Sequence, residues 1–234
     1  MLPDDVINKA KLYFQQQAEL FGREVWLPKK TIPVAEATSF QEKIIIPQKY
    51  SSLDALYESI KDCQKCPLGK TRTKFVFGVG NPQAKIVFVG EAPGHDEDVQ
   101  GEPFVGRAGQ LLTKILRAID LEREDVYICN ILKCRPPNNR DPVEEEEMHC
   151  EPYLQEQLRL IQPKLIVALG RIAAQCLLKT KSDLKLLRGK VLNYHGTQLI
   201  VTYHPAAILR NPGLKRPTWD DFQIIQKLYQ NSDV

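Results

Sequence analysis

Cys63 and Cys66 have two residues between them and are followed by Pro67, a spacing that lets two thiolates converge on one metal centre while the proline stiffens the exit. Such a pair is half a site. Cys134 and Cys150, with 15 residues between them, complete it if a loop and a helix return the second pair of sulfurs to the same place. Four thiolates suit either tetrahedral zinc or a 4Fe-4S cluster, and the spacing leaves both open. In a zinc reading His149 is a further candidate ligand. Cys129, inside the apolar run Val-Tyr-Ile-Cys, and Cys176, on a helix face with Ile172 and Ala173, read as small core residues.

The elements that must carry these groups follow from hydrophobic patterning. Ser52 is placed to cap a short helix with Leu53, Leu56, Tyr57 and Ile60, which runs into Cys63. Four continuous apolar runs, at 86–89, 126–129, 165–169 and 199–203, have the character of strands buried on both faces. Helical patterns at 108–119 and 172–178 separate them, and Glu144 to Glu147, after Asp141-Pro142, suit the first turn of another helix. Alternating strand and helix predicts a parallel sheet covered on both sides, with its ligand site beyond the carboxyl ends of the strands. Those ends read Gly90-Glu91-Ala92-Pro93-Gly94, Asn130, Gly170-Arg171 and His204-Pro205, all polar or glycine-rich.

Residues 5–21 have helical periodicity and Gly22 as a stop. Residues 23–50, with Pro28, Pro33 and Pro47, read as a linker. The expected division is therefore an appendage over 1–50 and a main domain over 51–234. The chain of 234 residues carries 32 basic against 29 acidic side chains, a net charge of +3 that is too mild to prove a nucleic-acid partner. No stretch approaches the roughly 20 apolar residues of a membrane span, and the N-terminus lacks the apolar core of a signal peptide. A cytoplasmic protein is expected, whose six cysteines are ligands or core residues, not a disulfide framework.

Taken together, the motifs resemble the iron-sulfur uracil-DNA glycosylases of bacteria and archaea, family 4. They run from Cys63-x2-Cys66-Pro67 through Gly90-Glu91-Ala92-Pro93-Gly94, Glu97-Asp98 and Pro103-Phe104-Val105-Gly106-Arg107-Ala108-Gly109. They continue with Asn130-Ile131-Leu132-Lys133-Cys134-Arg135-Pro136-Pro137, Cys150, and His204-Pro205-Ala206 with Arg210. Each motif alone is weak; their order and spacing are specific. The resemblance covers roughly 53–215 and leaves the first 50 residues unexplained. It implies a three-layer α/β/α sandwich around a four-stranded parallel sheet, a structural 4Fe-4S cluster on Cys63, Cys66, Cys134 and Cys150, and removal of uracil from DNA by a monomer.

Hydrolysing an N-glycosidic bond requires the base to leave as an anion while the sugar gains positive character, so fixed donors around the base oxygens are needed. Asn130 offers one donor and one acceptor to the imide edge of uracil, where cytosine has the opposite polarity. His204, aimed from a backbone constrained by Pro205, is placed to donate to the oxygen that gains charge. Phe104 is, by resemblance, the ring on which an extruded uracil stacks. Other uracil-DNA glycosylase families place a water-activating aspartate where this chain has Ala92. Glu91 and Glu97 remain to position water, and main-chain N–H groups of Gly90 to Gly94 to bind the base.

A basic face is expected from Lys133, Arg135, Arg140, Arg171 and Arg210, and an apolar wedge from the loop 206–212 with Ile208 and Leu209. The run His95-Asp96-Glu97-Asp98 is an alternative cation site. A non-catalytic iron-sulfur or zinc DNA-binding protein is the competing reading. A related group that bonds covalently to the abasic sugar has an inserted loop after the third cysteine and glutamine at the position of Ala92. This chain has neither.

Overall fold

The computed structural model describes residues 50–231. The helix expected over 5–21 and nearly all of the linker expected over 23–50 lie outside them. The chain enters α1 (Leu53–Ile60), capped as its sequence predicts by Ser52, whose Oγ accepts the Ala55 N–H at 3.1 Å. A short α2 (Leu68–Thr71) follows the first cysteine pair, and β1 (Val79–Gly80) leads into β2 (Ile86–Gly90). Helices α3 (His95–Gln100) and α4 (Arg107–Arg117) precede β3 (Tyr127–Asn130). Helix α5 (Glu144–Ile161), opening on its four glutamates, leads to β4 (Leu165–Leu169) and α6 (Arg171–Leu178). After α7 (Leu184–Leu187), strands β5 (Val191–Tyr194) and β6 (Thr197–Thr202) form a hairpin, and α8 (Pro205–Arg210) and α9 (Lys215–Asn231) close the described chain.

The sheet order is β1-β3-β2-β4-β6-β5. Its four inner strands are parallel and are those expected from the apolar runs; Gly90 pairs with Asn130 and Leu169 with Thr202, so the strand ends lie level. Two antiparallel edge strands, β1 and β5, extend it beyond the four expected. Neither had a signal to read: β1 is two residues long, and β5 is largely half-buried or exposed.

Period-two alternation divides the inner strands between two cores. Val87, Val89, Ile166, Ala168, Leu199 and Val201 face α1, α5 and α6 through Leu56, Ile60, Leu154, Leu158, Ala173 and Cys176. Ile86, Phe88, Leu165, Val167 and Ile200 face α4 and α9 through Leu112, Ile115, Leu116, Trp219, Phe222 and Ile225. Each fully buried leucine or phenylalanine contributes about 2 kcal/mol, so both faces of the sheet stabilise the same three-layer sandwich. Cys129 and Cys176 are buried core residues, as expected. No helix among the described residues is long and apolar enough to cross a membrane.

Candidate active site

A pocket of about 450 Å³ opens at the carboxyl ends of the parallel strands. Glu91, Phe104, Asn130, Arg171, His204 and Arg210 all line it, so strand ends scattered over more than a hundred residues converge as the fold rule requires.

Asn130 ends β3 and is only 2% exposed, yet its Oδ1 has no hydrogen-bond partner. A buried acceptor left unpaired costs about 1–3 kcal/mol, and here it borders an open pocket. Gly90, its neighbour in the ladder, makes room: a Cβ there would stand 2.3 Å from Asn130 Oδ1 and 2.6 Å from the Phe104 ring.

Phe104 is 5% exposed and holds a left-handed backbone, φ 55°, which a bulky residue adopts only under constraint. Arg123 supplies part of that constraint, donating to the carbonyls of Pro103 at 2.9 Å and Phe104 at 3.2 Å. Glu97 supplies the rest: one carboxylate oxygen accepts the N–H groups of Val105 and Gly106, both at 3.0 Å, and the other that of Gly94 at 3.1 Å. Glu97 was expected to help position water. With its oxygens occupied by three amides it instead fixes the Phe104 loop to the start of α3.

His204 caps α8 with its own ring, Nδ1 accepting the Ala206 N–H at 3.1 Å. An Nδ1 that accepts carries no proton, so the neutral ring must carry it on Nε2. Burial, with Arg210 adding to it, lowers the histidine to about 4 and keeps it neutral. The ring lies 5.4 Å from that of Phe104. Burial, reinforced by the charge of Asp141 and opposed by Arg171 and Arg210, raises Glu91 to about 7, the range suited to exchanging a proton near neutrality.

The expected basic face is only partly realised. Lys133 is fully buried, its Nζ donating to the Asn130 carbonyl and to Gln157, and so is no phosphate contact. Its place within an apolar motif gave no hint that it turns inward. Arg135 reaches Asn139 at 2.7 Å and His95 at 3.1 Å, and Arg140 grips Glu146. Arg171 pairs with Asp141 at 2.7 Å on an exposed surface, where such a bond exchanges readily for another anion. Arg210 borders the pocket. On α8, Leu209 is 43% exposed while Ile208 is buried, so the wedge narrows to Leu209. The cation site considered at 95–98 is not formed: Glu97 is occupied, and buried Asp98 accepts the Thr73 N–H. Arg123 escaped sequence reasoning because nothing in its neighbourhood marks it.

Cys63 and Cys66 are half-buried after α1, while Cys134 and Cys150 are 5% and 7% exposed; all four belong to one side of the core. Arg72 donates to Cys134 Sγ at 3.3 Å and to the Cys63 carbonyl at 2.6 Å, and the Lys133 N–H meets Cys150 Sγ at 3.4 Å. Tyr153 lies 3.3 Å from Cys63 Sγ. N–H groups directed at sulfur are what ligating thiolates receive from their surroundings. Among the described residues no three His, Cys, Asp or Glu side chains close on a single ion. The all-sulfur donor set of these four cysteines fits a four-iron cluster as it fits zinc.

The fold and site define an α/β/α sandwich in which two strand ends and one loop bring a buried carboxamide, a neutral imidazole and an aromatic ring to a single pocket. The model of the Uracil DNA glycosylase superfamily matches residues 77–223. The chain is 51% identical over 185 residues to the type-4 uracil-DNA glycosylase of Archaeoglobus fulgidus, covering 76% of this chain and 93% of that one. To the type-4 enzyme of Saccharolobus solfataricus it is 44% identical over 193 residues, 78% and 89% of the two chains. A type-5 uracil-DNA glycosylase of Pyrobaculum aerophilum is 34% identical over 151 residues, 57% and 66%. This chain belongs to the uracil-DNA glycosylase superfamily, with the type-4 enzymes.

Proposed function

We propose that this protein is a DNA-repair glycosylase that hydrolyses the N-glycosidic bond of deoxyuridine, releasing uracil and leaving an abasic site. The observation that carries the reading is the unpaired, buried Oδ1 of Asn130 at the pocket. It accepts the uracil N3–H while the amide nitrogen donates to O4; cytosine presents an acceptor and a donor there instead, and its rejection follows from unpaired polar groups. Phe104 stacks on the extruded base. As the bond from C1′ to N1 breaks, the electron pair moves onto the base and builds charge at O2, where the Nε2–H of His204 donates. Water then bonds to C1′ and its proton passes to Glu91, a pocket carboxylate that burial raises to about 7. Main-chain N–H groups around Gly90 and Ala92 complete the binding of the base.

Arg135, Arg171 and Arg210 serve the phosphates of uracil-containing DNA, and Leu209 fills the space that the base vacates. Cys63, Cys66, Cys134 and Cys150 hold a 4Fe-4S cluster. When bound, it supplies a cross-link between the segment after α1 and the segment from Cys134 to α5 and takes no part in the chemistry. The enzyme works as a cytoplasmic monomer with residues 1–50 as an appendage to the glycosylase domain of 51–234. Incubating the cluster-loaded protein with a uracil-containing duplex and scoring abasic sites tests the activity. Release of uracil, lost on Asn130→Ala, is expected; binding without release would favour a non-catalytic DNA-binding role.

A further inference from the structure

We propose that Lys133 is a positioning residue that ties the uracil-reading asparagine to the helix carrying the fourth cysteine. A lysine with no exposed surface is among the costliest residues to bury. A methionine or leucine of similar volume would fill the same space without that cost, so the significance lies in what the amine holds. Nζ donates to the main-chain carbonyl of Asn130 at 2.7 Å and to Gln157 Oε1 at 2.6 Å.

Gln157, equally buried, sits on α5 two turns past Cys150. Its Nε2 donates onward to the Phe77 carbonyl at 3.0 Å and to the Tyr127 hydroxyl at 3.2 Å. The main-chain N–H of Lys133 meets Cys150 Sγ. One residue therefore holds the end of β3 with its side chain and the cysteine site with its backbone. Both ends of β3 are fastened to α5 through this network, Tyr127 at one and Asn130 at the other.

Asn130 is the last residue of its strand, and on the β2 side the Ile131 and Leu132 N–H groups hold the following chain to the Gly90 and Glu91 carbonyls. Lys133 ties the Asn130 carbonyl to α5 as well, and the carboxamide can aim only as well as the backbone that carries it. A misplacement of about 1 Å in a reacting site costs on the order of 100-fold in rate. The proposal rests on the reading that Asn130 pairs with uracil.

The test compares full-length, cysteine-site-loaded protein with its Lys133→Met and Gln157→Leu variants. Each is titrated with DNA carrying a uracil nucleotide made resistant to cleavage by fluorine on its sugar, and with the same DNA carrying cytosine. Absorbance at about 400 nm follows the cluster. We expect Lys133→Met to lose about tenfold of the uracil-over-cytosine preference. Affinity for cytosine DNA should stay unchanged, and excision should fall in kcat more than in KM. Gln157→Leu, which loosens the same amine from the helix side, should move the preference in the same direction, and decides alone if Lys133→Met does not fold. Wild-type preference in the folded variants overturns the proposal, as does an equal loss on both DNAs. Wild-type protein with no uracil preference would overturn the reading of Asn130 instead.

Discussion

At the scale of single residues the pocket separates two titratable groups in opposite directions. Burial lowers His204 to about 4 and raises Glu91 to about 7. The histidine therefore stays a neutral donor across the working range, while the glutamate gains its charge within it. The uracil excision rate should rise with pH up to about 7 and then level; in Glu91→Gln the rate should be at least tenfold lower and this limb absent, as single-turnover assays across pH will show. Stability carries the opposite sign. The folded state binds the Glu91 proton more tightly than the unfolded chain, so the Glu91 contribution to stability falls as pH rises from about 4.5 to about 7, while His204, which binds its proton less tightly when folded, contributes the reverse between about 4 and 6.5 and offsets it. That Asn130 and His204 meet at the pocket was legible in the sequence because each closes a strand, whereas Phe104 was legible only through the loop motif it shares with the family. The duties of Glu97 and Lys133 were not. Both depend on which way a side chain turns, which residue type and spacing leave undecided.

At the scale of elements, the Phe104 loop is held from three sides: Glu97 from α3, Arg123 from the chain entering β3, and Gly109 from α4. A Cβ on Gly109 would lie 1.7 Å from the Phe104 carbonyl oxygen, closer than any accommodation short of backbone movement permits. Gly109→Ala should therefore cost about 1–3 kcal/mol of stability and, by moving Phe104, depress excision further than an equally destabilising substitution in the core. Thermal melts set beside excision rates for both variants will separate the two effects. The four inner strands were readable because strands buried on both faces leave long apolar runs. The edge strands were not, since their pairing depends on neighbours supplied by the finished sheet, not on their own composition.

At the scale of the whole molecule, a net charge of +3 understates what the surface offers. Arg171 and Arg210 stand beside the pocket, while Arg140 is committed to Glu146 and Lys133 is withdrawn into the core. If Arg210 neutralises a phosphate, Arg210→Ala should weaken DNA binding across sequences and lessen the slope of log affinity against log salt by about 1, measurable by titration at several salt concentrations. An unchanged slope would place that arginine's influence within the pocket, on Glu91 and His204.

The helix cap that His204 makes with the Ala206 N–H also bears on repeated turnover. The ring's tautomer is set by the first turn of α8, so it is the same before the base enters and after it leaves. A donor that stabilises charge without surrendering its proton has nothing to recover between rounds. On the proposed mechanism, readiness for the next lesion then depends on departure of the products and on Glu91 returning its proton to solvent.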